Sequence, residues 1–276
     1  MKKETFFLST KIFLLSVLTL FLCNNCTNQS KEISSKENFS QTNLTQNKPT
    51  KKMKKILFVL TSHDKKGATG EPTGYYLAEV THAWEALHNA GYEMDFVSPK
   101  GGKAPIDGFN LTDSVNKAFW DNETYHQKVE NTLTPADINP ADYGVIYYAG
   151  GHGTMWDFAD NTALADIAST IYENGGIVSG VCHGPSGFVN IKLKNGEYLV
   201  KDKKINAFTN EEEIAVKLEN VVPFSLENKL IERGAKFEKV GLWESHVVTD
   251  QRVISGQNPA SAKAVGEAIL AELNKK

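Results

Sequence analysis

Cysteine is scarce in this chain: there are three, Cys23, Cys26 and Cys182. The first two fall in an apolar leader, so the folded part holds one. No disulfide can staple it, whatever the redox state of its compartment. An excess of basic charge is also lacking. The formal net charge is -3, which gives no reason to expect nucleic acid as a partner, because such binders carry a basic face. The one lysine cluster, Lys51, Lys52, Lys54 and Lys55, precedes an apolar strand and reads as a solvated lead-in. No apolar run reaches the ~20 residues of a membrane-spanning helix, and no internal repeat is evident. Metal-ligand spacing is absent among His63, His82, His88, His126 and His246. Their spacing therefore gives no reason to expect a metal site. What remains is ordinary: 276 residues, 41% hydrophobic and 23% charged, enough to bury one large core or two small ones.

Met1-Lys2-Lys3 and Lys11 precede an apolar run from Ile12 to Leu22, broken only by Ser16 and Thr19. A basic start and a short apolar stretch describe a secretory signal. Cys23-Asn24-Asn25-Cys26 follows at once and resembles a bacterial lipoprotein signal, whose lipidated cysteine becomes the mature N-terminus. Cys26 is the preferred site, with a polar residue before it. Cys23 is the alternative, with Leu20 three positions upstream but the bulky Leu22 next to it. A plain cleaved signal is the other reading. From Asn28 to Lys52 the chain is polar, and such a stretch cannot bury enough apolar surface to offset its ordering entropy. The expected organisation is a lipoprotein-type signal segment over 1–26, a flexible polar linker over 27–52 and one folded domain over 53–276. The implied location is a bacterial cell envelope, held to a membrane through the lipid, or else secreted or periplasmic.

Ile56–Leu60, Met94–Val97, Val145–Tyr148 and Ile177–Val181 are short continuous apolar runs, the pattern of strands buried on both faces. Helical patterns lie between them, from about Gly74 to Ala90 and from about Thr162 to Asn174. Val247–Thr249 and Val253–Ser255 flank Asp250-Gln251-Arg252, a hairpin signal. A last helix is expected from about Pro259 to Leu273, with Asn258 available as its cap. Strands alternating with helices predict an α/β fold: a doubly wound, mostly parallel, flavodoxin-like sheet with helices on both faces.

Gly180-Val181-Cys182-His183-Gly184-Pro185 ends one of these strands and opens a helix. A reactive residue on a strand–turn–helix junction is the arrangement of a nucleophile elbow. The turn lifts the thiol above the sheet, and the helix start offers backbone N–H groups to a thiolate and an oxyanion. His183 brings an imidazole that can take the thiol proton. Ala149-Gly150-Gly151-His152-Gly153-Thr154 follows the preceding strand at the same carboxyl edge, where open α/β sheets bind ligands. Gly150 and Gly151 are candidate contributors to an oxyanion hole. His152 suits either substrate contact or packing of the loop.

These two motifs, Ala149–Asp157 (AGGHGTMWD) and Gly180–Pro185 (GVCHGP), resemble the DJ-1/PfpI superfamily, class I glutamine amidotransferase-like. Within it the Hsp31-like branch of glyoxalases and chaperones is the most similar. The likeness continues, in order, through Thr73–Glu79, Ser98–Gly102, Phe208–Glu213 and Gly256–Ser261. It implies Cys182 as nucleophile, His183 as its adjacent histidine, Glu213 as the acid that orients the histidine and Glu79 as the carboxyl that hydrogen-bonds the cysteine. Glu211 and Glu212 beside Glu213 would equally suit the first turn of a helix. The implied activity is that of a glutathione-independent glyoxalase III. A small-molecule carbonyl, methylglyoxal or a similar 2-oxoaldehyde, would become a 2-hydroxy acid such as D-lactate, with no cofactor. A PfpI-type cysteine peptidase or amidase, an Hsp31-like holdase chaperone and a protein deglycase are the alternatives. The family also implies a homodimer. Glutamine amidotransferase chemistry is disfavoured, because Trp243-Glu244-Ser245-His246 holds its acid and histidine in reverse order.

Overall fold

The computed structural model describes residues 54–275. The leader with Cys23 and Cys26, and the linker, lie outside the described residues.

Alternating side chains build the core on two faces at once. In strand β1 (Lys55–Val59) Leu57 and Val59 point to one side, Ile56 and Phe58 to the other, and all four are fully buried. A short strand β2 (Tyr75–Tyr76) leads into helix α1 (Leu77–Asn89), and β3 (Met94–Val97) follows. Next come β4 (Ile106–Asp107), α2 (Ser114–Asp121) and α3 (Glu123–Glu130). Strand β5 (Tyr143–Tyr148) repeats the two-faced pattern, sending Ile146 and Tyr148 to the first side and Val145 and Tyr147 to the second. The chain continues through α4 (Thr154–Asp157), α5 (Thr162–Glu173) and β6 (Ile177–Val181). After β7 (Lys204–Ile205), α6 (Asn210–Ala215), α7 (Leu226–Glu232) and β8 (Lys236–Phe237), a hairpin of β9 (Val247–Asp250) and β10 (Val253–Gly256) precedes α8 (Ala262–Leu273).

The main sheet has the order β3-β1-β5-β6-β10-β9, with every pairing parallel except that of β9 with β10. Helix α5 packs its Leu164, Ile167, Ala168 and Ile171 on the first face. Helices α1 and α8 cover the second with Val80, Ala83, Trp84, Leu87, Val265 and Ile269. Each such fully buried side chain is worth roughly 1.5–3 kcal/mol over exposure, which is why the strands read as unbroken apolar runs. The chain leaves β1 toward β3 and leaves β5 toward β6, in opposite directions. The crevice at this switch point opens at the carboxyl ends of β1, β5 and β6.

Two helix starts differ from the sequence expectation. The helix expected from Gly74 begins at Leu77, because Tyr75 and Tyr76 pair with Ile106 and Asp107 instead. Gly74 backs so closely on Pro105 that a Cβ would lie 2.0 Å from its carbonyl oxygen. At the last helix, Pro259–Ser261 forms a tight 3₁₀ turn and α8 follows it. Asn258 is not its cap: the Asn258 side-chain amide donates instead to Glu212 and to the carbonyl of Glu244.

Candidate active site

Cys182 stands on the turn that leaves β6 with φ of 59°, in the left-handed region that costs a non-glycine residue roughly 1–2 kcal/mol. Its neighbours hold it there. The Cys182 N–H donates to Gly256 O at 2.9 Å, and its carbonyl accepts from Phe208 N–H at 2.9 Å. Gly184 makes the turn possible: a Cβ there would lie 2.1 Å from Tyr148 O. Thr154 Oγ1 bonds the carbonyls of Gly151 and His183 at 2.9 and 3.1 Å, locking the two motif loops together.

The Cys182 sulfur lies 3.3 Å from His183 Nδ1. The backbone N–H groups of His183 and Gly151 also reach it. Gly150 points elsewhere, its N–H donating to Glu79 Oε2 at 2.8 Å. It therefore supports the carboxyl rather than an oxyanion, and the donors aimed at the sulfur are those of Gly151 and His183.

Glu79 occupies the first turn of α1 and is wholly buried. Burial raises its pKa to about 8, against the opposing pull of hydrogen bonds from Cys182 and Gly150. Tyr147 anchors that turn by donating its hydroxyl to Glu79 O at 2.7 Å. Burial pushes the Cys182 thiol up as well, and the Glu79 charge adds to this. A carboxyl and a thiol that cannot both ionise share this corner.

On the other side of the thiol, Glu213 joins two imidazoles. Its Oε2 lies 2.8 Å from His183 Nε2 and its Oε1 lies 3.0 Å from His152 Nε2. Burial alone would raise the Glu213 carboxyl, but the two histidines overcome it and pull the group to about 2. Burial holds the His183 pKa down, and His152 adds to the effect. A neutral His183 that donates its Nε2–H to Glu213 leaves Nδ1 as acceptor for the thiol proton. Phe208 packs on His183 with ring centroids 4.3 Å apart.

The three neighbouring glutamates have three separate tasks. Glu211 pairs with Lys239 on the surface. Glu212 closes a capping box with Thr209 at the start of α6. Glu213 alone reaches the histidines. Side-chain donor atoms of His152, His183 and Glu213 lie within 4.8 Å of one another, a spacing that could hold a metal ion. Glu244 and His246 do not line the site.

Cys182, His183, His152, Gly151 and Glu79 open on a cavity of about 640 Å³. Sequence reasoning missed its other walls. Tyr76 and Asp107 come from the β2–β4 ribbon and Trp243 from the loop before β9. No local signal connects these segments to the motifs, since only tertiary packing brings them together.

The chain is similar to known proteins along most of its length. A family model described as "DJ-1/PfpI family" matches residues 72–272. "Glyoxalase 3" of Candida albicans is 33% identical over 231 residues, spanning 79% of this chain and 98% of the relative. "Glutathione-independent glyoxalase HSP31" of Saccharomyces cerevisiae is 34% identical, spanning 76% and 93%. Among solved structures, the Rapid Encystment Protein 24 KDa (REP24) of Francisella tularensis superposes with a TM-score of 0.77 at 38% identity, covering 80% of this chain and 99% of that one. The expected lipid-anchored location in a bacterial envelope is corrected here. The two curated relatives are fungal proteins whose names describe glyoxalases. Among the described residues no helix is long and apolar enough to cross a membrane.

Proposed function

Because this chain belongs to the DJ-1/PfpI family, we propose that it is a glutathione-independent glyoxalase converting 2-oxoaldehydes such as methylglyoxal to 2-hydroxy acids through Cys182. The observation that carries this reading is the placement of one thiol between a neutral imidazole and a buried carboxyl. His183 Nδ1 stands 3.3 Å from the sulfur, and Glu79 meets it from the other side.

In the first step the thiol proton passes to His183 Nδ1 while Glu213 holds the Nε2–H. The sulfur bonds to the aldehyde carbon, and the carbonyl electron pair moves to oxygen. The N–H groups of Gly151 and His183 stabilise that charge, and His183 returns its proton to it. Glu79 then takes the proton from the same carbon, giving an enediol as the neighbouring carbonyl oxygen gains a proton from His183. Glu79 delivers its proton to the second carbon while the first carbon's hydroxyl gives its proton back to His183 and becomes the thioester carbonyl. The product is a thioester of the 2-hydroxy acid. A carboxyl with a pKa of about 8 is basic enough for a carbon acid yet returns its proton readily near neutral pH. Water, deprotonated by His183, attacks the thioester, the C–S bond breaks, and the thiol and the 2-hydroxy acid are released. The sum is aldehyde plus water giving hydroxy acid. Oxidation at one carbon balances reduction at the next, so no external electron carrier is required.

The test is D-lactate formation from methylglyoxal without glutathione, by the full chain and by its Cys182→Ala variant. Turnover by the first and none by the second is expected, whereas a rate that survives the substitution refutes the mechanism. A homodimer belongs to the same reading, and a monomeric mass by light scattering would remove it.

A further inference from the structure

The cavity is much larger than a three-carbon oxoaldehyde requires. Its volume of about 640 Å³ falls in the range of roughly 300–1,000 Å³ that encloses drug-sized ligands. One wall is apolar from the catalytic groups to the mouth. Phe208 packs on His183 at 4.3 Å, and Trp243 continues that surface outward at 5.7 Å from Phe208. Val216 and Leu218 complete the wall. Trp243 is 47% exposed, so a large aromatic ring is left partly facing solvent in the wall of the cavity that holds the nucleophile.

This placement is built. Trp243 has a φ of 63°, a strained conformation for a bulky residue. Its N–H is held at 3.0 Å by Glu212 Oε1. Glu212 is wholly buried. The same oxygen also accepts from the Gln257 and Asn258 amides at 3.2 and 2.8 Å, while Oε2 accepts from Thr209 N–H at 3.0 Å. A buried carboxylate with this many donors fixes the backbone that presents the indole ring.

The charges of the cavity limit what can enter. Its wall carries the carboxyls of Glu71 and Asp107 against one lysine, Lys66. The chain has two arginines, Arg233 and Arg252. They are engaged elsewhere, with Asn190 and with the carbonyls of Tyr172 and Gly176. No guanidinium clamp is available for a substrate carboxylate.

We infer that Trp243 is a specificity-determining residue, and that the site prefers uncharged 2-oxoaldehydes bearing a bulky apolar or aryl group over methylglyoxal. This inference rests on the glyoxalase reading above. The aryl group would lie along Phe208 and Trp243 while the aldehyde carbon meets the Cys182 sulfur.

The experiment compares kcat/KM for phenylglyoxal, 4-carboxyphenylglyoxal and methylglyoxal in the full chain and in Trp243→Ala and Trp243→Phe. The intact protein is expected to favour phenylglyoxal over methylglyoxal by about tenfold, and 4-carboxyphenylglyoxal is expected to be the poorer aryl substrate. Trp243→Ala should lower the phenylglyoxal-to-methylglyoxal ratio by about tenfold, mainly through KM, while Trp243→Phe retains most of it. A preference for methylglyoxal in the intact protein, or a ratio indifferent to Trp243→Ala, overturns the inference and leaves the glyoxalase reading intact. No turnover of any of the three aldehydes by the intact protein overturns both.

Discussion

Replacing Glu79 with glutamine should make the protein more stable and nearly inactive, with a pH signature specific to this residue. The folded protein holds the Glu79 carboxyl at about 8, against 4.5 for the ordinary group. The unfolded chain therefore gives up this proton at lower pH than the folded one. The stability carried by the protonated carboxyl is complete below about 4.5 and is lost as pH rises to about 8. At about 1.36 kcal/mol per pH unit, the interval from 4.5 to about 8 amounts to ~5 kcal/mol. Relaxation around a buried charge brings the measured share to about 3–5 kcal/mol. Glutamine preserves the shape and can still accept the Gly150 N–H, but has no proton to lose. Thermal unfolding of both proteins at pH 5 and pH 8 measures the difference. At pH 8 the variant should melt about 6–20 °C higher, given about 2–4 °C per kcal/mol in a domain of this size. At pH 5 the two should nearly coincide. Turnover of methylglyoxal should fall by at least ~100-fold, the usual contribution of a positioned base. A melting difference equal at the two pH values refutes the assignment of a raised pKa to Glu79.

Glu213 should behave in the opposite sense. Its folded value of about 2 lies below the ordinary 4.5, so its stability is present above 4.5 and is lost as pH falls toward 2. Glu213→Gln should cost about 2–3 kcal/mol in urea denaturation at pH 7 and little near pH 2, and should lower kcat by ~100-fold or more. An equal loss of stability at both pH values contradicts the two-histidine arrangement. Gly184→Ala would place a Cβ 2.1 Å from Tyr148 O and should destabilise the protein by about 2–4 kcal/mol, read by the urea midpoint. An unchanged midpoint refutes the tight turn. Dialysis against EDTA should leave turnover of methylglyoxal unchanged, because the proposed steps use no metal. Added Zn²⁺ should inhibit, since His152, His183 and Glu213 present donor atoms within 4.8 Å. Activity lost to EDTA and restored by metal would refute the mechanism.

The inner strands β1, β5 and β6 were legible because they are buried on both faces, and burial on two faces leaves a nearly unbroken apolar run in the sequence. The elbow was legible for a similarly local reason. Cys182, His183 and Gly184 are consecutive, and so are Gly150, Gly151 and His152. Local pattern alone misplaced two helix starts, because Tyr75-Tyr76 and Asn258 are committed to partners distant in sequence. It also could not say which of Glu211, Glu212 and Glu213 faces the site, since the capping requirement of a helix suits all three. Packing decided that question: the turn of α6 sends one carboxylate to Lys239, one into its own cap and one to His183 and His152. The sequence by itself determined the residue types and the chain order of the chemistry. Tertiary structure alone decided the proton affinities and the apolar wall, because burial of Glu79 and the meeting of Phe208 with Trp243 depend on segments that approach only after the sheet has formed.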